Sequence, residues 1–146
     1  ENRISIFQGS QNDLDFLQKV VSQIGTIDIV IDDGSHINGD VLRSFKFLFP
    51  YLAENGIYVI EDVQTSYWPR YGGDSYKLNN EETIMGFLKG RVDGINHEEI
   101  ARSGFLPSYL DIHITSIFFY HNLVFINKDG KPVKIVYSMP IVAYVN

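Results

Sequence analysis

The chain contains no cysteine among its 146 residues, which excludes disulfides, thiolate-held zinc and a cysteine nucleophile together. Any metal must be held by oxygen or imidazole, and the missing thiols suit a reducing compartment, so a cytoplasmic location is expected. Positive charge is also scarce: 12 Lys and Arg stand against 18 Asp and Glu, a formal net charge of −6. The basic residues are scattered and form no stripe, which argues against a nucleic-acid partner, since binding one requires counterion displacement. No apolar run reaches the roughly 18 residues needed to span a bilayer, so no membrane partner is expected either. None of the 12 glycines falls into GxGxxG or a Walker-type GxxxxGK, and both the dinucleotide fingerprint and the phosphate-cradling loop are therefore missing.

What is present is a folded composition, 45% hydrophobic and 14% aromatic against 21% charged, enough for one core in a single domain over residues 1–146. "RISIF", Arg3 to Phe7, reads as a short strand closed by Gly9. A helix then starts at Asn12 as N-cap, carries Leu14, Leu17, Val20, Val21 and Ile24 on one face, and ends at Gly25. "IDIVI", Ile27 to Ile31, has the unbroken apolar pattern of a parallel strand covered on both faces. A second helix over about Gly39–Leu48 leads to another buried strand, Gly56–Ile60. This alternation predicts βαβ units in a Rossmann-like α/β sheet, mostly parallel. A helix is expected over about Glu81–Val92. "ITSIFFYHNLVFINKDGKPVKIVY" predicts a closing antiparallel hairpin turning at His121-Asn122, with a second turn at Lys128–Lys131.

Two of the apolar runs end in paired acids: "VIDDGSH" gives Asp32 and Asp33, and "YVIED" gives Glu61 and Asp62. In open α/β sheets ligands gather outside the carboxyl ends of the strands. Neighbouring strand ends lie about 5 Å apart, so Asp33, Glu61 and Asp62 can converge on one cation. An oxygen-only set suits Mg²⁺, Mn²⁺ or Ca²⁺, with Mg²⁺ preferred, and leaves coordination positions for substrate. Acids at strand ends also cap helices or face water, and that reading competes with the first. His36, three residues after Asp33, is placed to act as general base beside such a metal, imidazole being the side chain whose ordinary titration range suits that task. His97 and His113 lack this context and read as structural. His121 and Asn122 turn at the same sheet edge and are candidates for substrate contact. Residues 63–79 read as a long loop whose Tyr67, Trp68 and Tyr71 could stack on a sugar or ring, with Gly72 and Gly73 as hinge or turn residues.

The stretch from Asp28 to Gly73, with "DDGSH" and "IED" at their spacing, closely resembles the metal-dependent sugar O-methyltransferases of macrolide biosynthesis. A weaker likeness extends from about Arg3 to Lys128 and takes in "GSQND" and "YHN". The resemblance implies a class I S-adenosylmethionine-dependent methyltransferase fold, Mg²⁺ on Asp33, Glu61 and Asp62, and His36 as the base that deprotonates the sugar hydroxyl. It places Gly9, Ser10, Gln11 and Asp32 along the cofactor, although Ser10 stands where related members commonly carry an acid. It also implies a sugar-bearing small-molecule substrate and allows a homo-oligomer. The chain is expected to be the C-terminal portion of a catalytic domain, without its first strands and Gly-rich cofactor loop, and to bind S-adenosylmethionine weakly alone. Two further readings are a noncatalytic methyltransferase-like module and another metal-dependent enzyme using the same carboxylates.

Overall fold

A computed structural model describes residues 3–129. The first regular element is α1, Leu14–Ile24, whose N-cap is Asp13: its carboxylate accepts from the backbone N–H groups of Asp15 and Phe16. Asn12, expected at that position, instead donates to the Asp40 carboxylate at 2.7 Å. Gly25 closes the helix at φ 75°, a left-handed conformation that suits glycine. There follow β1, Ile27–Asp32; α2, Asn38–Leu48; and β2, Leu52–Glu61. Two 3-10 turns, Val63–Tyr67 and Pro69–Tyr71, precede α3 (Ile84–Lys89), α4 (Val92–Ile95), α5 (Tyr109–His113), and the hairpin of β3 (Ile114–Tyr120) and β4 (Leu123–Lys128).

The four strands form one sheet in the order β1-β2-β4-β3. β1 runs parallel to β2, with Asp32 opposite Ile60, while β2–β4 and β3–β4 are antiparallel. Among the described residues the sheet is thus mixed, with one parallel pairing. The core lies on one face, where Val41 and Phe45 of α2, and Phe49 just after it, meet Tyr58, Ile60, Val124 and Ile126, and Ile84 and Leu88 of α3 close the side. Phe45 meets Tyr58 edge-on at 5.0 Å between ring centroids, a favoured aromatic geometry. Lys128 is buried and donates to the carbonyls of Pro50 and Leu52 at 2.9 and 2.7 Å, which pins β4 to the turn between α2 and β2. Among the described residues no helix is long and apolar enough to cross a membrane.

Several expectations are corrected. Residues 4–8 form no strand, and Ile4 and Ile6 are exposed: a strand needs a paired edge, and none pairs with this segment among the described residues. Among the described residues β1 is an edge strand covered on one face only, with Ile29 and Ile31 at 58% and 62% exposure. The register aligns Ile31, Val59, Phe125 and Phe118 on that second face. The helix expected over Glu81–Val92 begins later and breaks, because the Thr83 hydroxyl caps α3 by accepting from Gly86 N–H and Gly90 ends it. β2 starts at Leu52, earlier than expected, since Ile27 already pairs there. Lys131 of the second turn and the apolar run after it lie outside the described residues.

Candidate metal centre

β1 and β2 end side by side, and of the four acids there Asp32 turns inward while Asp33 and Asp62 face outward. Asp32 turns toward α2 and is buried. Its Oδ2 accepts from the Ser44 hydroxyl at 2.7 Å and the Tyr58 phenol at 3.1 Å, and its Oδ1 from the Gln11 amide at 3.1 Å. A buried carboxylate is tolerable when such donors surround it. Burial, and then the Asp32 charge, push the Tyr58 phenol well above its ordinary range, so it stays a neutral donor. Gln11 also accepts from the backbone N–H of Ser35 at 2.6 Å. It lies so close to the loop that a Cβ on Gly34 would sit 1.8 Å from its Oε1. Glycine at position 34 is what lets residues 32–36 close onto Gln11. Gly9 is likewise constrained, since a Cβ there would meet the Phe16 ring at 2.3 Å. Ser10 accepts from Asn12 N–H through its hydroxyl. A cavity of about 280 Å³ opens beside β1, lined by Gln11, Asp32, Asp33, Gly34 and Tyr58 among others.

Asp33 and Asp62 point away from the core, their side chains 60% and 49% exposed, and His36 lies between them. His36 Nε2 is 3.8 Å from Asp33 Oδ1 and 3.5 Å from Asp62 Oδ2. Ligand atoms of the three residues all lie within 4.8 Å of one another. Neither acid caps a helix. α2 begins after Ile37 with no side-chain cap, and the Asp62 carboxylate, at the cap position of the Val63–Tyr67 turn, makes no capping bond. Among the described residues neither is paired with lysine or arginine. Two uncompensated carboxylates facing one imidazole across a few ångströms fit a small divalent cation by donor chemistry. His36 and Asp62 both adopt left-handed backbone conformations, φ 56° and 52°. Strain of that kind in non-glycine residues concentrates at functional sites. The imidazole Nδ1 of His36 is buried with no hydrogen-bond partner among the described residues.

Glu61 ends β2 opposite Leu123 and is not among the three residues whose side chains converge. Asn122 turns at φ 61°, and its carbonyl accepts from Val63 N–H at 3.3 Å, so the His121-Asn122 hairpin turn sits beside Asp62 with His121 exposed. His97 bonds the Gly94 carbonyl and the His113 ring meets Tyr109 at a tilt, and neither belongs to the acid cluster.

The aromatic loop is firmly organised. Trp68 and Tyr71 lie 5.9 Å apart, and the Arg70 guanidinium stands over both rings. Trp68 is 41% exposed, while Tyr67 is half-buried and its carbonyl accepts from the Ser75 hydroxyl. Gly73 is a packing glycine, since a Cβ would sit 2.3 Å from the Thr65 carbonyl; Gly72 makes the turn at φ 74°. The Asp74 carboxylate binds the backbone N–H groups of Lys77 and Tyr76 and is held below its usual range by those bonds in that order. Asn38, fully buried, donates to the carbonyls of Thr65 and Tyr71 and accepts from Ile84 N–H. It joins the start of α2 to the aromatic loop and α3. Asn38, Ser44 and Tyr58 escaped the sequence reading; the first lies two residues after "DDGSH", the one signal pointing to it.

No family model matches the chain. Over 129 residues it is 46% identical to the demethylmacrocin O-methyltransferase of Streptomyces fradiae, a match that covers 88% of this chain and 33% of the relative. It is 44% identical to the mycinamicin VI 2''-O-methyltransferase of Micromonospora griseorubida over 88% of the chain and 32% of that relative. A solved structure of a methyltransferase from the mycinamycin biosynthetic pathway, in complex with Mg and SAH, superposes with a TM-score of 0.82 at 44% identity, over 88% of this chain and 33% of the other. A second form, with Mg, SAH and mycinamycin VI, gives a TM-score of 0.81 at 45% identity over the same shares. The chain spans about a third of the length of the curated relatives it matches. Its homologues are sugar O-methyltransferases of macrolide pathways, and in sequence and fold the chain corresponds to about one third of such an enzyme.

Proposed function

We propose that this chain carries the metal- and acceptor-handling part of a cytoplasmic, S-adenosylmethionine- and Mg²⁺-dependent O-methyltransferase that methylates a sugar hydroxyl of a glycosylated small molecule. The observation that carries this reading is the meeting of Asp33, Asp62 and His36 at the carboxyl ends of two parallel strands. Asp33 and Asp62 would hold the cation, and Glu61, which lies outside their cluster, would have to turn toward it to add a third carboxylate. Bound there, the cation would raise the acidity of a sugar hydroxyl, and S-adenosylmethionine would supply the methyl group.

The chain's own part is positioning and proton transfer. His36 Nε2 faces the acids and takes the hydroxyl proton; the sugar oxygen forms its bond to the methyl carbon as the carbon–sulfur bond breaks. The proton stays on the imidazole. Trp68 and Tyr71, whose rings share the Arg70 guanidinium, are the aromatic candidates for the sugar, and the His121-Asn122 turn borders Asp62 through the Val63 N–H to Asn122 carbonyl bond. Gly9, Ser10, Gln11 and Asp32 border the methyl donor, and the cavity beside Gln11 and Asp32 supports that placement.

The test is label transfer from methyl-labelled S-adenosylmethionine to a macrolide-linked sugar, by a relative's full-length chain in which residues 3–129 replace the corresponding third. Transfer that His36→Asn abolishes supports the reading. Transfer by His36→Asn at the parental rate, or no transfer by a folded, metal-loaded graft, contradicts it.

A further inference from the structure

Gln64 carries no role in the chemistry above, and its surroundings are unusual for a structural glutamine. Its side-chain amide donates to Asp62 Oδ1 at 3.0 Å. The other oxygen of Asp62, Oδ2, is the one 3.5 Å from His36 Nε2. The two carboxylate oxygens therefore have separate tasks: one is held by Gln64 and the other faces the cluster. The amide orientation follows from charge, since the flipped form would set Oε1 against the carboxylate. In the orientation adopted, Gln64 Oε1 is buried with no hydrogen-bond partner among the described residues. A buried acceptor without a donor is an unfavourable arrangement that a side chain present only for packing would avoid.

The backbone around Asp62 is fixed as well. Its left-handed φ of 52° is stabilised by Thr65, whose N–H and hydroxyl both donate to the Asp62 carbonyl at 3.1 and 3.0 Å. Thr65 sets the main chain of this residue and Gln64 sets its carboxylate rotation. Half-exposed and next to a second acid, Asp62 would otherwise rotate freely.

We propose that Gln64 is a positioning residue that presents Oδ2 of Asp62 to a divalent cation at the Asp33–Asp62–His36 cluster. This inference rests on the metal-site reading above. Partners that orient metal-bound carboxylates influence affinity by roughly ten- to a hundredfold, and that is the size of effect expected here.

The experiment is a Mn²⁺ titration by calorimetry of the chain, of Gln64→Met, which keeps the length and apolar stem of the side chain, and of Asp62→Asn, with metal-free thermal unfolding of each. Gln64→Met is expected to weaken Mn²⁺ roughly tenfold or more while the metal-free unfolding midpoint stays close to that of the parent. A purely structural glutamine would show the reverse, a lowered midpoint with unchanged affinity, and that result overturns the proposal. Should Gln64→Met not fold, Gln64→Asn, whose shorter amide cannot span the same distance, is read in the same way. Absence of Mn²⁺ binding by the folded parent overturns the metal-site reading and this proposal together, whereas parental binding that Asp62→Asn loses and Gln64→Met retains overturns this proposal alone.

Discussion

His36 Nε2 lies closer to Asp62, on the neighbouring strand's end, than to Asp33 of its own loop: 3.5 Å against 3.8 Å. The imidazole therefore bridges the two strand ends, and its left-handed backbone at φ 56° is what aims it there. Because asparagine tolerates that conformation better than alanine, His36→Asn separates the loss of the base from the loss of the loop. In the full-length graft this variant is expected to lower the methyl-transfer rate by roughly a hundredfold or more with Mn²⁺ affinity within a few-fold of the parent. Single-turnover label transfer beside a metal titration checks both.

Ser44 is almost fully buried and its hydroxyl donates to Asp32 Oδ2 at 2.7 Å. Ser44→Ala leaves that buried carboxylate short of a donor with no cation to compensate. The expected cost is about 1–3 kcal/mol of unfolding free energy, read from urea titrations at neutral pH. A change within experimental error would mean that Asp32 is not anchored as described.

Asn38 satisfies three backbone groups from a fully buried position. Asn38→Leu, close in volume but without hydrogen-bonding groups, is expected to destabilise the fold by at least about 2 kcal/mol. It should also speed amide exchange and proteolysis between Thr65 and Gly73. Equal exchange protection in that stretch would show that the aromatic loop is held by something else.

Tyr58 has a phenol pKa raised by burial and by Asp32. The raised folded value means that the folded state keeps a proton the unfolded state releases. The resulting stability is fully present below the ordinary phenol pKa of about 10 and is lost as pH rises above it, at up to about 1.4 kcal/mol per pH unit for one proton. Tyr58→Phe should flatten this alkaline decline while lowering stability at neutral pH through loss of the bond to Asp32. Denaturant titrations across the alkaline range measure the two slopes, and equal slopes would contradict the assignment.

The order of the main elements and the place where Asp33, His36 and Asp62 come together were legible because both depend on local pattern. Apolar spacing marks α1 and α2, and the acids of "DDGSH" and "IED" follow directly from where two strands run out. The face that each acid takes was not legible. Asp32 and Asp33 are neighbours in a strand-end segment whose side chains alternate, so one joins the core and the other the site. That choice is visible only once Ser44, Tyr58 and Gln11 are in place around Asp32. Ile29 and Ile31 led to the reading of a strand buried on both faces, but an apolar pattern records a need for cover and does not supply it. The loop after Asp62 looked aperiodic because its order comes from distant partners, Asn38 above all. Gln64 has no sequence signal beyond following an acid by two positions, and its role depends on a rotamer.

The most direct test of the central claim, that the acids closing β1 and β2 build one divalent-cation site, is a calorimetric Mg²⁺ and Mn²⁺ titration of the chain beside Asp33→Asn and Asp62→Asn. Saturable one-site binding that either substitution removes is the predicted result. Binding that survives both substitutions, or none at all by a chain shown to be folded, would contradict it.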